Sequence, residues 1–339
     1  MARTARVGTA HLTSRCARHD RMPAAAPRLL LSVVAPCFNE ESAIELFVRE
    51  LQRVLATLPE FDHEMVLVDD GSRDGTLAAL DRLAAEDARL RPVALSRNFG
   101  HQIALSAGLD HARGDLVVLM DSDLQHPPAL LPALLAKWRE GCDIVSTIRR
   151  RTAAPWLQRV TSRGFYWLLN RLSEVPIEPS AADFCLLTKR VRDQLVAMPE
   201  RHRMLRGMLA WVGFRRRFLD FDAPARAAGT TKFSWRKRVA LAVDGMLGFS
   251  TAPMRLAIWV GCAVAVLGAL YLAYVLGKAL WTGDVVAGWP SLISVVLILG
   301  GLQIVFIGVL GAYLGRVFEQ AKGRPLYVLR RDVPPEARR

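Results

Sequence analysis

The chain has 339 residues, enough for a sizeable core and about two domains, and 23% of them are charged. Its mean hydropathy is nevertheless positive at +0.20, which predicts that a water-soluble part and a lipid-soluble part are joined in one chain. The net charge of +13 calls for a polyanionic partner, either nucleic acid, anionic lipid or a phosphorylated substrate. The five cysteines form no close pair, which excludes a disulfide framework or zinc ribbon and fits a reducing compartment.

The N-terminal residues 1–28 are rich in Arg and Ala and contain no long apolar run, so they are not a secretory signal peptide. We expect this stretch to be a disordered basic extension. Contact of its arginines with lipid headgroups and a translation start at Met22 are the two alternatives.

The region 29–231 alternates short β-branched runs with helical segments, which is typical of βαβ units. It predicts an α/β domain with a mostly parallel sheet that is covered by helices on both faces. Such sheets bind their ligands at the carboxyl ends of the strands. The runs predicted as strands are LLLSVVAP, HEMVLVDD, RPVALS, DLVVLMD and CDIVSTI.

Pairs of carboxylates follow two of these strands, Asp69 and Asp70 after EMVLV and Asp121 and Asp123 after DLVVLM. Strand-end aspartates often serve only as turn formers and helix caps, and Asp74 fits that role as well as a functional one. A capping role explains at most one of Asp121 and Asp123, because the helix predicted near the prolines at 127 and 128 needs one cap at most. Two neighbouring carboxylates also repel each other unless a cation neutralises them.

The second pair therefore predicts a hard divalent cation, Mg²⁺ or Mn²⁺, at Asp121 and Asp123 with Gln125 as a further oxygen ligand. His126 alone does not indicate zinc, because no second His or Cys stands at ligand spacing. The sequence has neither G-x-G-x-x-G after its first strand nor a P-loop motif, so dinucleotide and P-loop sites are excluded.

Five motifs occur in order along the chain, SVVAPCFNEE, VLVDDGSRDGT, LSRNFGHQIALSAGLDHARGD, LMDSDLQHPP and ERHRMLRGMLAWVGF. They closely resemble those of the inverting GT-A glycosyltransferases that load a sugar onto a polyprenyl phosphate, such as dolichol-phosphate mannose synthases and bactoprenol glucosyltransferases. The resemblance runs from about Leu31 to Val328. The family often has Tyr at the position of Cys37, Ser at Thr231 and Arg at Cys185, which leaves the fine donor contacts open.

The resemblance implies a role for each matching position. The resemblance implies that the metal is bound by Asp121, Asp123 and Gln125 and bridges the donor diphosphate. It also implies that Asp183 orients the acceptor or the sugar, with a structural cap as the alternative role of this residue. The nucleoside of the donor is expected at Pro36, Asn39, Glu40, Asp69, Asp70 and Asp121. The phosphates of donor or acceptor are expected at Arg149, Arg163, Arg226 and Lys232. The catalytic group is then Asp121, Asp123, Asp183 and Arg163.

Two apolar stretches, residues 253–281 and 289–318, are each long enough to cross a hydrocarbon layer of roughly 30 Å, which predicts two transmembrane helices. A buried hairpin of a soluble core is the alternative. Between them and the catalytic domain, residues 232–252 predict an interfacial amphipathic helix on anionic lipid, or else an ordinary basic turn. The loop TGDVVAG lacks Lys and Arg, so we expect a multi-pass protein of the inner membrane with both termini, including the basic tail 319–339, in the cytoplasm.

The expected reaction is attack of a polyprenyl phosphate on the anomeric carbon of a nucleotide sugar, with inversion. UDP-glucose is the first choice of donor, and a UDP-aminoarabinose derivative, UDP-N-acetylhexosamine and GDP-mannose are alternatives. A processive polysaccharide synthase is disfavoured, because Q-x-x-R-W and further membrane helices are lacking, and a non-catalytic binding protein is disfavoured by the intact DSDLQH loop. No nucleic-acid partner is expected, since the basic residues cluster toward the membrane flanks. The family relatives suggest a homo-oligomer.

Overall fold

The computed structural model describes residues 28–149, 178, 181–222, 252–282 and 288–330. The predicted N-terminal extension, apart from Arg28, lies outside these ranges, as does the predicted interfacial segment 232–252 apart from its last residue.

The described part of the catalytic region is built on a seven-stranded sheet with the order β3-β2-β1-β4-β6-β5-β7. Strand β6 is antiparallel to both of its neighbours, and every other pair is parallel, so the prediction of a mostly parallel α/β sheet is confirmed. Strands β6 and β7 were not among the predicted runs. The strands are β1 (Leu29–Cys37), β2 (Phe61–Asp69), β3 (Leu90–Ala94), β4 (Leu116–Leu119), β5 (Ile144–Arg149), β6 (Ala181–Thr188) and β7 (Arg216–Phe221).

Helices pack on both faces of the sheet, as the sequence predicts, because successive apolar residues of each strand point to opposite sides. Within β1, Leu31 and Val33 face one core, and Val34 faces the other. The first core is closed by α1 (Ile44–Leu55), α2 (Thr76–Glu86) and α4 (Leu131–Arg139), the last preceded by a 3₁₀ turn at Pro128–Leu130. The second core is closed by α3 (His101–His111), α5 (Lys189–Ala197) and α6 (Leu205–Trp211).

Two long apolar helices follow, α7 (Ala252–Thr282) and α8 (Trp289–Ala321), close to the predicted bounds. Among the described helices, one stretch is long and apolar enough to cross a membrane, Leu299–Ala321 within α8. The apolar stretch of α7, Ala257–Gly268, is shorter. The two helices are thus present, and membrane crossing is supported by length and composition for one of them.

The loops after β2 and β3 meet at the carboxyl edge of the sheet because Gly71 allows a close approach. Its φ of +68° lies in the left-handed region, and a Cβ at this position would be 2.3 Å from the carbonyl carbon of Arg97. Only glycine fits there, and the contact brings the end of β2 next to the start of α3.

Candidate active site

The loop after β4, residues 121–125, is called the acidic loop below. Its base is fixed to β1, since the buried Ser122 hydroxyl donates to the carbonyl oxygen of Pro36 over 2.9 Å. The other end of the loop is closed by an internal hydrogen bond, in which the backbone N–H of Gln125 donates to Oδ1 of Asp123 over 3.0 Å. Leu124 has a φ of +60°, which is strained for a non-glycine residue and is most often found at functional sites.

Asp121 carries the least satisfied carboxylate of the acidic loop. Its Oδ1 atom is buried, and no donor in the described residues makes a hydrogen bond to it. His101 Nε2 lies 3.5 Å from this oxygen, and His126 Nδ1 lies 3.3 Å from the other one. A buried carboxylate oxygen without a donor is costly unless a further positive group occupies the site.

His126 supports the acidic loop from below. Burial lowers its pKa, so the ring is neutral, and its Nδ1 accepts the backbone N–H of Asp121 over 2.9 Å. The ring stacks on Phe184 with a centroid distance of 5.1 Å. These contacts account for His126 as a structural residue of the loop.

Asp183 lies opposite the acidic loop because β6 runs antiparallel to β4 and begins where β4 ends. Arg206 Nε donates to its Oδ1 over 2.7 Å, and Gln102 Nε2 donates to its Oδ2 over 3.2 Å. His101 Nε2 is 3.4 Å from Oδ2. These four residues, His101, Gln102, Asp183 and Arg206, are called the Asp183 cluster.

Charge in the Asp183 cluster is strongly paired. Burial would raise the pKa of Asp183, but the charge of Arg206 and the hydrogen bonds of His101 and Arg206 hold that pKa well below its usual range. Burial opposes protonation of His101, yet the hydrogen bond to Asp183 and the charge of Asp121 raise its pKa above the ordinary value. Asp183 is therefore ionised near neutral pH and is a weak base.

The carboxylates after β2 differ in their partners. Burial raises the pKa of both, although each accepts backbone hydrogen bonds. Asp70 accepts from the amides of Phe99 and Gly100 over 2.7 and 2.9 Å, which ties the start of α3 to β2. Asp69 accepts from Ser72, whose backbone N–H lies 3.2 and 3.3 Å from its two oxygens, and because these bonds are longer than those of Asp70 it keeps more capacity for a ligand.

The loop after β1 is held to the loop after β2 by reciprocal bonds. Asn39 has a φ of +55°, and its backbone N–H donates to the Ser72 hydroxyl. Its side-chain oxygen Oδ1 accepts the backbone N–H of Arg73. The amide of Glu40 donates to the Thr76 hydroxyl over 2.9 Å. Cys37 is buried beside them, and burial raises the pKa of its thiol to about 12, so it is not a nucleophile.

The predicted phosphate-binding residues are described in part. Arg149 ends β5, and its guanidinium lies 3.4 Å from Oε1 of Gln125 in the acidic loop. Arg163, Arg226 and Lys232 lie outside the described residues. In the described part of the chain, no three His, Cys, Asp or Glu side chains are grouped closely enough to hold a metal ion. Asp121 and Asp123 alone would leave a cation in need of further ligands.

Sequence reasoning missed three members of the Asp183 cluster, His101, Gln102 and Arg206. Gln102 also accepts the backbone amide of Leu205 over 2.9 Å, so it joins α3, β6 and the start of α6. All three residues stand in motifs that carry the family resemblance, LSRNFGHQIALSAGLDHARGD and ERHRMLRGMLAWVGF, and this position is the signal that could have identified them.

Comparison with known proteins gives two family matches. Residues 32–194 match glycosyl transferase family 2, and residues 252–317 match the GtrB C-terminal hairpin. An uncharacterized glycosyltransferase of Synechocystis sp. is 40% identical over 300 residues, covering 88% of this chain and 94% of that protein. The bactoprenol glucosyl transferase of Shigella phage SfII is 40% identical over 306 residues, covering 89% and 98%. The prophage bactoprenol glucosyl transferase homolog of Escherichia coli is 39% identical, covering 89% and 98%.

Among solved structures, mannosyl-3-phosphoglycerate synthase from Rubrobacter xylanophilus matches with a TM-score of 0.48 and 20% identity, covering 65% of this chain and 74% of that one.

Proposed function

The chain is a glycosyltransferase that belongs to glycosyl transferase family 2, and we propose that it transfers a hexose from a nucleotide sugar to undecaprenyl phosphate. The product would serve as a lipid-linked sugar donor for glycosylation of the cell envelope. The observation that carries this proposal is similarity over nearly the whole chain to proteins named bactoprenol glucosyl transferase. UDP-glucose is the preferred donor, and a UDP-aminoarabinose derivative, UDP-N-acetylhexosamine and GDP-mannose are the alternatives.

The acidic loop would hold Mg²⁺ or Mn²⁺ through Asp121, Asp123 and the amide oxygen of Gln125. The buried Oδ1 of Asp121, which accepts no hydrogen bond from the described residues, fits this role. Mg²⁺ is commonly bound by one or two carboxylates together with substrate phosphates, so a loop with two carboxylates is sufficient. When bound, the ion would neutralise charge on the departing nucleoside diphosphate.

The donor nucleoside would lie over the loops after β1 and β2, where Pro36, Asn39, Glu40, Asp69 and Asp70 meet. The reciprocal bonds of Asn39 and Glu40 with the neighbouring loop make this region rigid before a ligand arrives. The oxygens of Asp70 hold the start of α3, so its contribution would be mainly to position that helix. Asp69 would then be the carboxylate that contacts the nucleoside.

The acceptor phosphate would be the nucleophile. A phosphate monoester has a second pKa of about 6 and is largely a dianion near neutral pH, so it needs no strong general base. Asp183 is compatible with a reaction that needs no general base, because its lowered pKa makes it a poor proton acceptor. Asp183 with Arg206 would instead orient the acceptor or the sugar, and direct attack would invert the anomeric carbon. The basic residues Arg149, Arg163, Arg226 and Lys232 would bind the phosphates.

The C-terminal half would place this chemistry at the membrane. In this proposal α7 and α8 both cross the inner membrane, residues 232–252 lie along its cytoplasmic surface, and both termini are cytoplasmic. The long apolar stretch of α8 supports the membrane assignment, and the lack of Lys and Arg in the connection between the helices supports the orientation. A homo-oligomer would be compatible with this arrangement.

A donor panel tests the proposal. Purified full-length protein is incubated with undecaprenyl phosphate, Mg²⁺ or Mn²⁺ and each radiolabelled nucleotide sugar, and the chloroform-soluble product is counted. We expect one donor to yield product and EDTA to abolish it. Transfer to a water-soluble acceptor only, or long polymer instead of a monosaccharide product, would contradict the proposal.

A further inference from the structure

The chain returns to the catalytic domain after its last helix. Gln320, at the end of α8, donates its side-chain amide to the carbonyl oxygen of Pro199 over 2.7 Å and accepts the amide of Arg201 over 3.1 Å. The Arg201 guanidinium in turn donates to the carbonyl oxygen of Arg324. These contacts hold the start of residues 322–330, called the strap below, against the catalytic domain.

The end of the strap pairs with the loop that follows β3. The amide of Ser96 donates to the carbonyl of Val328 over 2.8 Å, and the amide of Arg330 donates to the carbonyl of Ala94 over 2.7 Å. Leu95 and Leu329 form an antiparallel bridge between these two bonds. The strap thus acts as a short added strand at the carboxyl end of the edge strand β3.

Alternate residues of the strap have different surroundings. Tyr327 and Leu329 pack against the second core, and the Tyr327 hydroxyl donates to Asp110 over 2.9 Å. Val328 and Arg330, on the opposite side, are exposed. Because strand side chains alternate between faces, the odd-numbered residues anchor the strap, and the even-numbered ones are presented to a ligand or to solvent.

The register places Arg330 in one row with Asp69. Asp69 is the partner of Ala94 in the parallel pair of β2 and β3, and Ala94 lies opposite Arg330 in the antiparallel pair with the strap. Residues in such a row project from the same face of a sheet, and strands are about 4.8 Å apart, so the two backbones are about 10 Å apart. The methyl group of Ala94 between them leaves room for the arginine side chain to reach across.

We propose that Arg330 is a binding residue for the donor nucleotide, supplied to the nucleoside end of the site by the C-terminal strap. The inference rests on the proposed function, because Asp69 is taken there as the carboxylate that contacts the nucleoside. A guanidinium next to a carboxylate gives hydrogen-bond donors beside an acceptor, which suits a nucleobase edge that carries both a carbonyl and an N–H.

Electrostatics in the site agrees with this placement. Burial raises the pKa of Asp69, and the positive charge of Arg330 acts against that rise. A cation from the strap therefore helps to keep Asp69 ionised and able to accept a hydrogen bond. The strap also connects this residue to the end of α8, so the membrane helix and the donor site are held by one continuous stretch of backbone.

The test compares two arginines of the strap by replacing each with alanine. The main-chain bonds of Arg330 and Arg324 survive the change, and both side chains are exposed, so neither variant should lose its fold. Binding of UDP and of UMP to full-length protein with Mg²⁺ is measured by calorimetry. We expect Arg330→Ala to weaken both nucleotides by about threefold to tenfold. Arg324→Ala should bind both normally, and Arg330→Lys should recover part of the loss.

Equal loss with UMP and UDP, and with uridine measured in competition, locates the effect at the nucleoside, whereas a loss with UDP alone, or with both nucleotides but not uridine, would overturn the proposal in favour of a phosphate contact. Unchanged affinities in Arg330→Ala, at a normal melting temperature, would overturn the role of the strap and leave the proposed function intact. Failure of the unaltered chain to bind UDP would contradict the uridine donor of the proposed function and this inference with it.

Discussion

The acidic loop and the Asp183 cluster face each other across the same site and differ in how their charges are satisfied. In the cluster, the carboxylate of Asp183 has Arg206, Gln102 and His101 within 2.7 to 3.4 Å. In the acidic loop, Oδ1 of Asp121 is buried without a hydrogen-bond donor among the described residues. Leu124 in the same loop has a φ of +60°, in the left-handed region. The charge on one side of the site is satisfied by the protein's own side chains, and the charge on the other side would be satisfied by the ligands of the proposed function.

This difference assigns separate tasks to the two sides. Groups that are fixed before binding cost no reorganisation during the reaction, which suits orientation of acceptor or sugar. Strain and unsatisfied charge are tolerated where a ligand relieves them, which suits the diphosphate and its metal ion. Substitutions in the two regions should therefore differ in kind, with loss of ligand binding on one side and loss of stability on the other.

The largest expected effect is that of Asp123→Asn in the acidic loop. Removing one negative charge should lower glycosyl transfer about a thousandfold, because the cation that neutralises the leaving group loses a ligand. Transfer of radiolabel from the nucleotide sugar into the chloroform-soluble fraction measures it. The melting temperature of the ligand-free protein should change little, since the amide oxygen of an asparagine can still accept the backbone N–H of Gln125.

The matched control is Asp62→Asn at the start of β2, at the opposite edge of the sheet, where the side chain is 64% exposed. It makes the same chemical change and should retain full activity. Undiminished turnover of Asp123→Asn, or of the unaltered protein in EDTA, would contradict the metal-binding role of the loop.

Asp183→Asn should have the next largest effect, and here stability should change as well. The substitution removes the negative charge that Arg206 contacts over 2.7 Å, which we expect to cost about 2 kcal/mol of unfolding free energy and about a hundredfold in kcat. Thermal unfolding and steady-state kinetics on the same samples give both numbers. A variant that loses activity at an unchanged melting temperature would show that the cluster is not the self-contained unit described above.

The stabilising effect of Asp183 should depend on pH in a defined direction. Its pKa is lowered in the folded protein, so its contribution is complete above the ordinary pKa of an aspartate, about 3.9, and is lost as the pH falls toward the folded-state value. The difference in melting temperature between the unaltered protein and Asp183→Asn should first grow as the pH falls through the raised pKa of His101, because Asp183 stabilises the protonated ring, and should then shrink below about pH 4 as Asp183 itself is protonated. A difference that keeps growing below about pH 4 would refute the assignment.

The sequence predicted the first five strands and the four helices between them because their apolar periodicity is strong. It also predicted the position of Asp121 and Asp123, since carboxyl ends of parallel strands meet at one edge. Strand β6 was missed because its antiparallel direction depends on long-range pairing with β4 and β5. Without that direction, the position of Asp183 opposite Asp121 could not be derived.

Two kinds of site feature were also beyond sequence reasoning. Arg206 approaches Asp183 only after α6 has packed on the second core, so no local pattern announces the pair. The pairing of residues 328–330 with β3 joins segments more than two hundred positions apart, and the tail 319–339 was therefore expected only to be basic. The role of Asp70 as a nucleoside ligand stays a prediction, and its hydrogen bonds from the backbone amides of Phe99 and Gly100 could not be derived from the sequence.

Two glutamines provide a matched pair with a smaller effect. Gln102 makes two side-chain bonds in the Asp183 cluster, to Asp183 and Leu205, whereas the bond of the Gln125 side chain to Arg149 is long at 3.4 Å. Gln102→Ala should therefore lower the unfolding free energy of the ligand-free protein by about 1 to 2 kcal/mol. Gln125→Ala should unfold at the normal temperature but bind Mn²⁺ with UDP about tenfold more weakly. Identical behaviour of the two variants would remove the distinction between the regions.

Hydrogen exchange of the unaltered protein compares the two regions most directly. The expected changes in exchange rate are the smallest of the predicted effects. Strand β6 is paired on both edges with β4 and β5, so amides following Asp183 should exchange slowly with or without ligand. The acidic loop is held by a few side-chain contacts, such as Asp121 N–H to His126 and Gln125 N–H to Asp123. Addition of UDP and Mn²⁺ should slow exchange in the acidic loop about fivefold and in β6 by less than about twofold. Repeating the measurement on Asp123→Asn should abolish the protection of the loop. Protection that is equal in the two segments would mean that the acidic loop is already as ordered as the Asp183 cluster before its ligands bind.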